Sequence, residues 1–344
     1  MNINKTDIAF INEVLENLLN TPSPSGYCHS IMDKIKKYAA DLNIDYTDTQ
    51  KGCGILSIKG SSDYTIGLSA HVDTLGAMVR SINSNGTLRF TSIGGFMMNS
   101  IEGEYCIIHT RDGKKYSGTI LSTHPSVHVY DDARKQERIE SNMEIRIDEL
   151  VENKEDVIKL GIEVGQYISF DSRTILLENG FIKSRHLDDK AGVAILLGLI
   201  KYYKENNIIP KANIEIFIST YEEVGHGSSY IPKSINEFIA IDMGAMGDDL
   251  SCKETQVSIC AKDSSGPYDY NMVTKLVNLA KKNKIDYAVD IYPHYGSDAS
   301  AAMSAGHNIK CALIGPGVHA SHHMERTHID GVINTLNLLI EYLK

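Results

Sequence analysis

The chain has 344 residues, 42% of them hydrophobic, and a formal net charge of −10. That is enough apolar material for a globular interior and more length than one compact core needs, so a large domain carrying a smaller one is expected. The acidic balance argues against nucleic acid or an anionic membrane as the main partner, and no run of about 18 uncharged apolar residues exists to form a membrane-spanning helix.

The chain begins with a helical pattern: Phe10, Ile11, Val14, Leu15, Leu18 and Leu19 recur at helical spacing. Acids interrupt the apolar residues of the first twenty positions and no small-residue cleavage site follows, so a secretory signal is not expected. TPSPSGY, residues 21–27, breaks that helix, and a second helix is expected over about 28–43. Strands follow. TIGLSAHVD (65–73) alternates Ile66, Leu68, Ala70 and Val72; ANIEIFISTYEE (212–223) alternates Ile214, Ile216 and Ile218. EFIAIDMG (237–244) and IKCALIGPG (309–317) are short apolar runs, the last stopped by Gly-Pro-Gly. Helical stretches lie at 189–205, 269–283, 298–305 and 331–343. Strands alternating with helices imply an α/β fold: a mostly parallel sheet covered by helices on both faces.

Residues 76–181 read differently, as short strands and turns. GTLRFTSIGGF is followed by YCIIHTRDGKKYSGTI, a hairpin expected to turn at Asp112-Gly113; VGQYISF and NGFIKS come later. A helical period shows only around 145–160. The polar stretch 123–140 reads as a mobile loop, and His109, His124 and His128 as surface histidines. The expected organisation is an α/β domain from 1–75 and 182–344, with a small β-rich domain inserted at 76–181 as a candidate for pocket-shaping and assembly. The six cysteines are scattered and none forms a C-x-x-C pair, which disfavours a thiolate metal site and fits free thiols in a reducing cytoplasm.

The chemistry collects where strands end. One run closes on His71-Val72-Asp73, another on Glu222-Glu223, a third on Asp242, and the fourth leads to His319, His322 and His323. In open α/β sheets, ligands bind outside the carboxyl ends of the strands. Imidazole and carboxylate gathered there suit zinc, cobalt or manganese. RHLDDKAG (185–192) adds Asp188 before the long helix, which taken alone is an ordinary helix cap. A single H-x-D, a solvated Glu pair or a histidine-rich surface loop would each be unremarkable; the ordered set is not.

With AHVD (70–73), RHLDDKAG (185–192), EEVGHG (222–227), IDMG (241–244), GSDA (296–299) and SHHMERTH (321–328), the sequence resembles the glutamyl aminopeptidase group of dinuclear metallo-aminopeptidases, whose members are often labelled cellulase M or endoglucanase. The resemblance implies two divalent metal ions, zinc or cobalt with manganese also compatible. It assigns His71 and Asp242 to one ion, Glu223 and a histidine of the 319–323 stretch to the other, and Asp188 to a bridge between them; His322 is taken as that histidine, with His323 the alternative. It makes Glu222 the general base and Asp73 the residue that orients His71. It also implies short peptide substrates cleaved at a free N-terminus, and a homo-oligomer, a dodecamer in the family. Thr74 departs from the family pattern, which often has Glu there, and the last histidine departs in its spacing from Glu325. Rival readings are a deacylase or carboxypeptidase on the same scaffold, an endoglucanase, and a scaffold protein without activity. The absence of tryptophan and the poor fit of adjacent carboxylates to a glycosidase pair disfavour the endoglucanase.

Overall fold

Four strands that run in one direction set the frame. Asn213–Ser219, Thr65–His71, Glu237–Ile241 and Lys310–Val318 lie side by side in that order and pair in parallel. The structure, a computed structural model, describes residues 5–344; the first four residues of the predicted first helix lie outside the described residues. Alternation along the strands feeds two cores. Ile216, Ile218, Ile239, Ile241, Ala312 and Ile314 join one cluster, while Phe217, Phe238, Ala240, Cys311 and Leu313 join another. Helices Lys5–Leu19, Leu187–Glu205 and Ile329–Leu343 contribute to the first cluster, and Asp298–Ser304 to the second. The period-2 pattern therefore sees helices on both faces, as expected for an α/β sheet.

Antiparallel strands missed in the sequence finish the sheet. Gly54–Ile58 pairs with Asn213–Ser219 on one side, and Asp45–Asp48 with Gly54–Ile58. On the other side Val257–Asp263 pairs with Lys310–Val318, and Tyr287–Ile291 runs parallel to Val257–Asp263. These segments carry serines and charged residues, which mask their apolar alternation.

Between Thr65–His71 and the long helix, six strands close a barrel in the order Gly76–Ile82, Leu88–Ile93, Met143–Ile147, Lys115–Ser122, Tyr105–His109 and Tyr167–Phe170. Val79, Phe90, Ile108, Ile120, Ile145 and Ile168 fill it. The predicted hairpin is present: His109 faces Lys115 across the turn, and Gly113 takes the positive φ of 84° that the turn needs. The helical reading of 145–160 is corrected to a strand, Met143–Ile147, and a short helix, Lys154–Lys159, which begins where the Asn153 side chain accepts the Asp156 N–H. Past the barrel, Phe181–Ser184 pairs with both Ile175–Leu176 and Glu325–His328, which brings the histidine-rich loop next to the start of the long helix.

Two more readings are corrected. His109 is buried in its strand, with Nε2 2.8 Å from Ser169 Oγ. The strand expected to stop at Gly315-Pro316-Gly317 runs through it to Val318. The glycines are there for closeness, since a Cβ at Gly315 would sit 1.7 Å from the Asp242 carbonyl oxygen. Among the described residues, no helix is long and apolar enough to cross a membrane. All six cysteines are buried and unpaired.

Candidate metal centre

Parallel pairing puts the carboxyl ends of the four strands along one edge: Ser219 stands opposite His71, and Ile241 opposite Ile314. Each strand end then contributes a polar side chain. His71 is the last residue of its strand, Asp242 directly follows Ile241, and His322 lies in the loop after Val318. Glu222 and Glu223 sit in a single 3-10 turn, Glu222–Val224, beyond Ser219. This corrects the extended-strand reading. The two carboxylates diverge because successive residues of a 3-10 turn are a third of a revolution apart, not because a strand alternates.

Asp188 lies between the two imidazoles. Its Oδ1 is 3.2 Å from His71 Nε2, and its Oδ2 is 3.3 Å from His322 Nε2. His322 Nε2 is also 3.5 Å from Glu223 Oε2, and His71 Nε2 is 3.6 Å from Glu222 Oε2. Ligand atoms of His71, Asp188 and Glu223 fall within 4.8 Å of one another, as do those of His71, Asp189 and Asp242. All seven residues singled out in the sequence therefore converge on one place, and Asp189 joins them.

The imidazoles are set by backbone carbonyls. His71 Nδ1 is 2.9 Å from the Asp73 carbonyl oxygen, and His322 Nδ1 is 2.5 Å from the Gly95 carbonyl oxygen. A carbonyl only accepts, so each Nδ1 carries a proton and each Nε2 faces the carboxylates. Gly95 follows the barrel strand Leu88–Ile93, so the barrel helps aim a side chain of the sheet. The Asp73 carboxylate was expected to orient His71. Its Oδ1 lies 3.5 Å from His71 Nδ1, and the carboxylate also accepts the backbone N–H groups of Glu222 and Glu223 at 3.1 and 3.2 Å, and the Ser25 hydroxyl at 2.5 Å. Asp73 thus faces the imidazole with its carbonyl and, at longer range, its carboxylate, and the same carboxylate holds the glutamate turn.

Several residues at the centre were not assigned from sequence. Glu325 accepts the backbone N–H of Asp188 on one oxygen and that of His322 on the other, both at 3.1 Å. Asp189 accepts the N–H groups of His71 and Gly192 at 3.2 and 3.1 Å. Asp298 accepts from Ser219 Oγ and the Ser228 N–H at 3.2 and 2.9 Å. These acids sit in the motifs SHHMERTH, RHLDDKAG and GSDA. What would have marked them is their burial, which a sequence does not display.

Electrostatics separate these groups. Burial pushes the carboxyls of Glu222 and Glu223 well up, and neighbouring acids (Asp242, Asp298 and Glu223 around the first, Asp188 and Asp73 around the second) push further. Burial and the nearby Asp188 raise Asp242 to about 7. Burial also opposes ionisation of Asp188, but contacts with His322 and His71 hold it below the usual carboxylate range. Burial likewise opposes the His322 imidazolium, yet Asp188 and Glu223 raise it to about 11. Carboxylates thus outnumber imidazoles in a buried cluster, at a cost that a bound cation relieves. Oxygen and imidazole nitrogen donors with Nε2 turned inward fit divalent zinc, cobalt or manganese.

The cluster forms one end of a cleft of about 600 Å³ whose other walls include Ser265, His294, Tyr295, Ser300 and Ser304. Imidazoles and carboxylates facing one another beneath a cleft, at the carboxyl edge of a parallel sheet, define the class: an α/β protein with a candidate metal centre. The chain belongs to the M42 glutamyl aminopeptidase family, whose sequence profile matches residues 52–338. It is 48% identical over 335 residues to the Bacillus subtilis (strain 168) protein named "Putative aminopeptidase YhfE", covering 96% of each chain. Its fold is similar to that of a TET aminopeptidase from a marine sediment archaeon of the Thaumarchaeota, with a TM-score of 0.88, 21% identity and coverage of 97% of this chain and 96% of that one. It is also similar to the Pyrococcus horikoshii TET1 peptidase, with a TM-score of 0.85, 24% identity and coverage of 97% and 99%. That peptidase is described as able to assemble into a tetrahedron or a large octahedral shell.

Proposed function

We propose that the chain is a dinuclear metallo-aminopeptidase that removes residues from the free N-terminus of short peptides. The observation that carries this reading is Asp188, whose two oxygens face one imidazole each, within a family of aminopeptidases. His71 and Asp242 would hold one divalent ion, Glu223 and His322 the other, with Asp188 shared. When bound, the ions supply Lewis acidity toward the scissile carbonyl and make water a stronger acid.

The chain's own groups do the rest. Glu222 is not needed to complete either ligand set, and its Oε2 lies 3.6 Å from His71 Nε2, at the edge of the cluster. It acts as general base: a carboxylate oxygen takes a proton from the attacking water and returns it to the leaving amine nitrogen. Asp73 keeps that oxygen in place by holding the Glu222 and Glu223 backbone N–H groups. The glycines of EEVGHG let the turn fold tightly, since a Cβ at Gly227 would sit 2.0 Å from Ser219 Oγ and 2.5 Å from Asp298 Oδ1. We further propose residues 76–181 as an inserted β-rich domain, and homo-oligomeric assembly in the cytoplasm.

The test is a panel of fluorogenic aminoacyl amides, with matched N-blocked amides, given to chelated enzyme re-supplied with zinc, cobalt or manganese. Metal-dependent cleavage of the free-amine set alone is the expected result. Release of the blocking group from the N-blocked set would move the assignment to a deacylase, and cleavage of N-blocked dipeptides that end in a free carboxylate to a carboxypeptidase. No metal-dependent turnover would refute catalysis at this centre.

A further inference from the structure

Charge on the cleft wall speaks to the substrate side chain. Among the described residues, no lysine or arginine lines the cleft, and its four carboxylates, Asp188, Glu222, Glu223 and Asp242, all belong to the metal cluster. Two divalent ions would balance those four charges, leaving none for a substrate side chain. The remaining wall offers hydroxyls, one imidazole and short side chains: Ser265, His294, Tyr295, Ser300, Ser304 and Ser321. Some of these polar atoms are already engaged. Tyr295 donates to the Met243 carbonyl oxygen at 2.9 Å, Ser300 to the Ser297 carbonyl oxygen at 2.9 Å, and Ser265 to Asp263 Oδ1 at 2.5 Å. Lys262, close in sequence, donates its ammonium to the Asp263 carbonyl oxygen at 2.8 Å.

We propose that this cleft selects an uncharged N-terminal side chain and disfavours both glutamyl and lysyl substrates. The inference rests on the aminopeptidase reading and sharpens it. A charged side chain that leaves water for a wall with no opposite charge loses hydration without compensation. The cleft is open to solvent, so the discrimination is graded rather than absolute. An uncharged side chain meets serine hydroxyls and methylenes at no such cost. A cation placed on the wall would supply the missing partner for a substrate carboxylate. Ser304 suits this because it is exposed and ends the helix Asp298–Ser304, and Ser265 is an exposed loop position on the same cleft.

The experiment compares kcat/KM for alanyl, methionyl, leucyl, glutamyl and lysyl amides at pH 8, using metal-loaded enzyme and the variants Ser304→Arg and Ser265→Arg. The expected result is a neutral substrate favoured over glutamyl and lysyl by at least about tenfold. At least one variant should raise glutamyl relative to alanyl turnover by about tenfold. A glutamyl or lysyl amide equal to or better than the best neutral one overturns the inference while leaving the aminopeptidase reading intact. Neutral preference with no response in either variant overturns the assignment of this wall as the selector. Failure of every free-amine substrate overturns the aminopeptidase reading, and this inference with it.

Discussion

Glu325 accepts the backbone N–H of Asp188 at 3.1 Å, and its second oxygen accepts that of His322 at the same distance. One buried carboxylate thus ties the start of the long helix to the histidine-rich loop, two segments 134 positions apart as numbered. In Glu325→Gln the amide nitrogen would face one of those N–H groups, donor against donor. We expect metal affinity to fall by about 10- to 100-fold, as for other groups that orient ligands. Titration of the chelated variant with zinc measures this, and wild-type affinity would show that the clamp is dispensable.

Glu222→Gln preserves size while removing the proton acceptor. It should still bind metal and lose at least about 100-fold in kcat. Metal content and steady-state rates on the same preparation decide the matter, since full activity would remove Glu222 from the mechanism.

Asp188→Ala tests the shared ligand. If Asp188 serves both ions, elemental analysis of the purified variant should find neither retained. Two ions per chain would rule out the bridge.

Gly315→Ala probes how Asp242 is placed. The added methyl would sit 1.7 Å from the Asp242 carbonyl oxygen, so strand or acid must move. Overpacking of this kind costs about 1–3 kcal/mol, and we expect a lower Tm together with weaker metal binding. An unchanged Tm would mean that the two strands separate freely.

His109 supplies a pH dependence away from the centre. Burial, and then nearby Lys115 and His29, lower its imidazole to about 4, whereas an unfolded chain protonates near pH 6.5. Between those values the unfolded state binds more protons, so its contribution is complete above about pH 6.5 and fades as pH falls toward 4. Comparing Tm across that window with His109→Gln should give a shallower acid loss in the variant; parallel curves would refute the contribution.

Much of the centre was legible because its residues recur as short ordered motifs whose chemistry is tied to residue type. His71, Asp188, Glu222, Glu223, Asp242 and His322 could be named before any fold was known. Their orientation could not. The glutamates diverge through a 3-10 turn held by Asp73, and His322 is aimed by a carbonyl from the barrel loop. Contacts made across long stretches of chain leave no local pattern. The burial of His109 was invisible for the same reason, because alternation in a barrel strand reveals two faces but not which one is inside.

The sequence by itself determined the α/β alternation, the β-rich interruption and the inventory of imidazoles and carboxylates, since side-chain chemistry and local periodicity are properties of neighbouring residues. Tertiary structure alone decided that Glu325 clamps two remote backbones, that Gly315-Pro316-Gly317 continues a strand against Asp242, and that, among the described residues, no lysine or arginine lines the cleft. Those are matters of which surfaces meet in space, and spatial proximity arises only when the whole chain closes on its cores.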